Sequence, residues 1–153
     1  MDINAFYKTL VKGLDWNNQL DTQNESIRSL VQSFDHVPLD LYNLFEMLDK
    51  YSWENYCRVV NEICYPKNKS AIPALLYLLQ DLNWPGSESA MLILTSISKE
   101  DLASHVETTI NQAYTNNDFM WLGGLKVLAR KMNFTPEDFC DGEIFKLLDF
   151  ADF

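Results

Sequence analysis

Carboxylates are the functional groups this chain holds in quantity, with 22 Asp and Glu against 12 Lys and Arg. Asp15, Asp49, Glu54, Asp81, Glu88 and Asp118 all stand at or beside short polar stretches that interrupt apolar runs. Paired acids can share the work of glycoside hydrolysis, but that chemistry needs a sugar cleft between them, and nothing in the sequence suggests one. Asp15, Glu54, Glu88 and Asp118 fall near expected helix N-termini, where the macrodipole stabilises an acid by a few tenths to about 1 kcal/mol. Asp49 and Asp81 close the preceding helices, where the same dipole mildly disfavours them. Either a hydrogen bond within the turn or a cation from a partner must justify them. Asp49, Glu54, Asp81, Glu88 and Asp118 are therefore the candidate partner-binding residues.

The other reactive side chains are sparse. His36 and His105 are the only imidazoles, 69 residues apart, and neither has a helical neighbour at metal-ligand spacing. Cys57 and Cys64, seven apart, alternate with Val60 and Ile63, which reads as buried small apolar side chains rather than a redox pair. Gly123-Gly124 is the only glycine pair, and it suits close helix packing better than a phosphate loop. No catalytic residue, metal site or cofactor is expected, and the chain reads as a non-enzyme.

A formal charge of −10 repels phosphate backbones and anionic headgroups and attracts basic proteins. Nucleic acid and membrane are thus unexpected partners, and a basic protein is the expected one. Three cysteines without a CxxC pair support neither a disulfide framework nor a zinc site and favour a reducing, cytoplasmic setting. No basic leader with an apolar run opens the sequence, and no 18-residue apolar span occurs in it.

Helical periodicity positions these residues. In "AIPALLYLLQDL" Ile72, Leu75, Leu76, Leu78, Leu79 and Leu82 make a broad stripe with Ser70 as its cap, and Ala90, Leu92, Ile93, Leu94 and Ile97 continue a second buried helix. The same plan recurs around all four tryptophans, at 16, 53, 84 and 121, separated by 37, 31 and 37 residues. Asp15, Ser52 and Asn83 directly precede three of these rings and can cap a helix. Each Trp is therefore expected in the first turn of a second helix, folding back over the first, with Pro85 in that turn as well. This predicts one all-α domain over 1–153, with hairpins at about 2–34, 38–65, 70–98 and 100–133. A cap at 135–153 would start at Thr135-Pro136-Glu137-Asp138 and cover the last hairpin with Phe139, Ile144, Leu147 and Leu148.

Residues 71–97 resemble a HEAT repeat, in which Pro73, Leu75, Leu76, Leu78, Leu79 and Asp81 match the Pro-x-Leu-Leu-x-Leu-Leu helix and its following Asp. The string Leu-Gln-Asp-x-Asn-Trp-Pro, residues 79–85, also resembles a bacterial family known only as a domain of unknown function, and some small bacterial immunity proteins have similar helical-repeat character. Tetratricopeptide repeats fit less well, because "WLGGL" lacks their later markers. The resemblance implies a right-handed α-solenoid that binds other proteins, as a scaffold or as an immunity protein steered onto a cationic toxin, monomeric or weakly dimeric. The alternative it raises is a HEAT-like DNA repair glycosylase or other nucleic-acid enzyme, which would need a basic groove; only Lys126, Arg130 and Lys131 are locally basic.

Overall fold

The structure is a computed structural model that describes residues 3–37 and 40–153, with the side chains of residues 3 and 4 left out. The starts of the spans expected at 2 and 38, and the side chain of Ile3, lie outside the described residues. Among the described residues there are nine α-helices and no strand, so the all-α expectation holds. The chain divides into two compact units, residues 1–71 and 72–153.

The first unit contains α1 (Ile3–Gly13), α2 (Leu20–Ser33), α3 (Leu41–Glu46) and α4 (Trp53–Ile63), with single 3-10 turns at Lys50–Ser52 and Lys69–Ala71. α2 packs on both α1 and α4, while α3 packs on α4 and on the 69–71 turn. Leu14, Leu30, Leu41, Leu44, Tyr56, Val59 and Val60 are almost wholly buried, as their periodic spacing requires. Asn55, the third residue of α4, is 3 % exposed and lies within this apolar packing. Its Nδ2 donates to the Leu14 carbonyl at 2.7 Å and to Gln23 Oε1 at 2.9 Å. Gln23 Nε2 in turn donates to the carbonyls of Trp16 and Asn18, so one amide pair fixes the α1–α2 turn against α4.

The second unit contains α5 (Ile72–Tyr77), α6 (Ser87–Thr95), α7 (Lys99–Thr115), α8 (Phe119–Lys131) and α9 (Gly142–Lys146), with 3-10 turns at Leu78–Gln80, Pro136–Asp138 and Leu147–Phe150. α5 packs on α6 and α7, and α8 packs on α6, on α7 and on the 78–80 turn. Trp121, the third residue of α8, is 4 % exposed, and its Nε1 donates to the Leu76 carbonyl at 2.9 Å. That carbonyl lies in the last turn of α5, where intrahelical partners run out. Gly124 lets α8 approach: a Cβ there would run into the carbonyl of Leu79.

Several local expectations are overturned. Only Trp53 and Trp121 occupy the first turn of a second helix; Trp16 and Trp84 lie in the connections before α2 and α6. Trp16 is 45 % exposed and Trp121 alone is buried, so the four indoles are not equivalent clamps. The folding back is seen where Phe45 stacks on Trp53 at 5.8 Å and Tyr77 lies 5.9 Å from Trp84. Pro85 precedes α6 rather than entering it, because Gly86, at φ 86°, makes a left-handed entry that a side chain would strain. Ser70 does not cap α5; its Oγ accepts the Leu41 N–H at 3.0 Å and so serves α3. Leu82 and Leu92 are exposed, at 39 % and 67 %.

Residues 135–153 are not one capping helix. Thr135 and Pro136 start only a single 3-10 turn, and α9 begins afresh with Asp141 accepting the Glu143 N–H at 3.0 Å. Phe139 and Leu148 are buried, whereas Ile144 and Leu147 are only half covered. Asp138 accepts from the Thr135 N–H at 2.7 Å and from Lys99 Nζ at 3.3 Å, and this hydrogen bonding, the Thr135 amide foremost, holds its carboxyl below the usual carboxylate range.

Three outcomes follow from these contacts. Asn55→Leu strands the Leu14 carbonyl and Gln23 Oε1 and is expected to cost about 1–3 kcal/mol in urea denaturation. Trp121→Ala is expected to cost about 3–5 kcal/mol, and Trp16→Ala far less; comparable losses at the two sites would refute the assignment of burial. A depressed carboxyl stabilises the fold above the unfolded value of about 3.9, and that contribution fades as pH falls through the folded value. The stability gap between wild type and Asp138→Asn should therefore be full at neutral pH and close below about pH 4.

Candidate functional site

Asp49 and Asp81 do what turn aspartates do. Asp49 Oδ1 accepts the Tyr51 N–H at 3.0 Å, and Asp81 Oδ1 accepts the Asn83 N–H at 2.8 Å. Asp15 and Asp118 use the same device, accepting from Asn17 N at 2.8 Å and from Trp121 N at 2.9 Å. The caps assigned to Ser52 and Asn83 are not formed: Ser52 makes no side-chain cap bond and Asp49 caps the 50–52 turn before it, while Asn83 is itself the residue held by Asp81 and α6 starts after Gly86 with no side-chain cap. Each aspartate uses one oxygen in its turn, and its second oxygen makes no hydrogen bond among the described residues.

Glu54 and Glu88 are the second residues of α4 and α6, where the helix N-terminus favours an acid. Asp49 and Glu88 are exposed, and Glu54, Asp81 and Asp118 are half-buried. Asp49 and Glu54 belong to the first unit, and Asp81, Glu88 and Asp118 to the second. The ion pairs among the described residues join Lys67 to Asp35, Lys99 to Asp138 and Lys146 to Glu143. Asp49, Asp81, Glu88 and Asp118 take part in none of them.

Aromatic and thioether side chains lie between these acids, a feature the sequence reading did not single out. In the first unit the Trp16 N–H donates to the Tyr51 carbonyl at 3.0 Å and the two rings lie 6.2 Å apart, so the Asp15 and Asp49 turns adjoin. Trp16, Tyr51 and Met47 are each at least 40 % exposed there. In the second unit the Tyr77 ring lies against both Trp84 and Trp121, at 5.9 and 6.2 Å, which joins the Asp81 and Asp118 turns. Tyr77, Leu82 and Met120 are exposed around them.

Burial, and next the Glu54 charge, pushes the Cys57 thiol up, out of the range of a nucleophile. Burial likewise raises the Tyr56 phenol, whose hydroxyl donates to the Leu41 carbonyl at 2.7 Å. Cys64 is exposed, contrary to expectation, because it ends α4 at φ 69° and leaves the helix face shared with Cys57. His36 is exposed and His105 half-buried. Among the described residues no three His, Cys, Asp or Glu side chains form a metal-binding group, and no helix is long and apolar enough to cross a membrane.

The chain matches no family model, and comparison with curated proteins and with solved structures gives no match.

Replacing turn aspartates separates their two uses. Asp81→Asn keeps an oxygen for the Asn83 N–H and is expected to melt within about 0.5 kcal/mol of wild type. Asp118→Ala removes the α8 cap and should cost about 1 kcal/mol. Equal destabilisation by the two substitutions in thermal melts would contradict these roles.

Proposed function

We infer that the chain is a non-enzymatic protein-binding module that holds a basic protein partner against its acidic turns. One observation carries this reading: Asp49, Asp81, Glu88 and Asp118 lack an ion pair among the described residues, and the turns of the three aspartates carry exposed Trp, Tyr, Met and Leu side chains. Uncompensated charge attracts and orients a cationic partner, while exposed rings and thioethers supply the contact area that interfaces favour. Glu54, half-buried in the first turn of α4, adds to the same field.

The proposed architecture is a HEAT-like array of helical hairpins. Supporting it, first helices pack together (α5 on α7), and so do second helices (α6 on α8, and α2 on α4). Such arrays present extended surfaces for other proteins. Within this class an immunity protein that neutralises a cationic toxin is the sharpest version, because charge of this sign speeds capture of a basic enzyme. A nucleic-acid enzyme is disfavoured by the same field.

The test is an NMR titration with a lysine-rich amphipathic peptide beside a duplex DNA. Peptide-induced shifts should map to the turns at 49–54, 81–88 and 118, and weaken as salt rises. Combined Asp49→Lys, Asp81→Lys and Glu88→Lys substitution should lower peptide affinity at least about tenfold while leaving the circular dichroism unchanged. Tight DNA binding at moderate salt, or peptide binding indifferent to the charge reversal, would overturn the reading. A basic toxin encoded beside the gene and co-purifying with the chain would single out the immunity version.

A further inference from the structure

Beside α8 and the turns that follow it lies a groove of about 380 Å³ whose chemistry differs from that of the acidic turns. Lys126 and Arg130, one helical turn apart on α8, line it together with Phe134, Phe145 and Leu148. Phe134 and Leu148 are buried to 6 % and 3 % exposure, which makes the base apolar. Asn133 and Asp149 complete the polar lining.

Of the two cations here, Arg130 is not occupied by its own chain. Arg130 is exposed and makes no side-chain hydrogen bond or ion pair among the described residues. Lys126 has a single long hydrogen bond, 3.4 Å to the Phe153 carbonyl. The helix dipole explains a basic residue in the last turn, and so explains Arg130, but Lys126 lies five residues before the end of α8. Asn133 is held in place through its backbone, at φ 57° with its carbonyl accepting from Lys99 Nζ at 3.1 Å, and its side-chain amide has no partner among the described residues.

We propose that this groove binds a small monoanionic ligand in which a carboxylate is joined to an aromatic or branched aliphatic group. Of the two cations in the lining only Arg130 has no partner in its own chain among the described residues, and a single open cation suits a monoanion. A phosphate monoester, at about −1.5 to −2, would set surplus negative charge beside Asp149. The planar guanidinium of Arg130 matches a carboxylate in bidentate fashion, and Phe134, Phe145 and Leu148 desolvate an attached ring or branched chain. The volume is at the lower end of the roughly 300–1,000 Å³ typical of ligand sites, enough for one such group and too small for a long peptide. The carboxylate has two natural sources, a free organic acid or the C-terminal residue of a peptide.

Four probes distinguish these possibilities by NMR titration of the full chain: 4-phenylbutyrate, its neutral amide, N-acetyl-Leu-Phe with a free carboxylate, and the same dipeptide amidated. Saturable shifts confined to residues 126–149, seen for one or both carboxylates and not for the amides, are expected. Shifts with phenylbutyrate alone assign a free acid, and shifts with the dipeptide alone assign a peptide terminus. Arg130→Gln should lower the affinity about tenfold at an unchanged melting temperature, and Lys126→Gln should act in the same direction. Lys131→Gln, outside the groove lining, should leave it unchanged. Equal binding of acid and amide, shifts located elsewhere, the absence of shifts with all four probes, or an Arg130→Gln variant that binds like wild type would overturn the proposal.

Discussion

In each unit a side-chain N–H at the third position of a second helix reaches a main-chain carbonyl at the end of an earlier first helix. Asn55 in α4 does so to Leu14 and Trp121 in α8 does so to Leu76. Helix ends always leave carbonyls without intrahelical partners, and burying such a group unpaired costs about 1–3 kcal/mol. The two helix pairs of a unit thus share more than apolar area: one pair satisfies the other's open backbone. Hydrophobic packing tolerates sliding, whereas a donor within 3 Å of one chosen carbonyl fixes the register. The sealing contact is consequently not the one expected, of each Trp over its own hairpin, but a reach from one helix pair to the preceding one.

Two different side chains perform this act, which is why the tryptophan spacing was only half informative. Asn55 is small and needs Gln23 to fill out its hydrogen bonding, while Trp121 supplies both the donor and a large buried ring. Where an amide makes the contact, the indole of the same stretch is released: Trp53 stacks on Phe45 instead, and Trp16 stays partly exposed beside Tyr51.

The helices themselves were legible because Leu75, Leu76, Leu78 and Leu79 repeat on a helical period and are all at most 1 % exposed. Their ends were less so, since tertiary demand overrides local capping: Ser70 serves a helix that begins 29 residues earlier. In α6 the run "AMLILT" is apolar on every side, so periodicity could not pick out Leu92 as the exposed position. The aspartate turns were readable because an acceptor two residues before its donor is local chemistry. The Lys126–Arg130 groove was not, because its walls come from positions as far apart as 126 and 149.

The turn hydrogen bond and the proposed partner's cation are not exclusive reasons for Asp49 and Asp81, because a carboxylate has two oxygens and one reason does not use up the other. Holding Oδ1 on a backbone N–H fixes the direction in which the second oxygen points. A cation meeting such a charge does not have to order a flexible side chain, a cost of about 0.5–1.5 kcal/mol for each group immobilised at an interface. Tyr and Trp, with only two side-chain torsions each, provide contact area at similarly low entropic cost. On this view the rigid turns that end the helices are also what makes their surface suited to binding. Glu54 and Glu88, placed by the helix dipole, supply attraction at longer range.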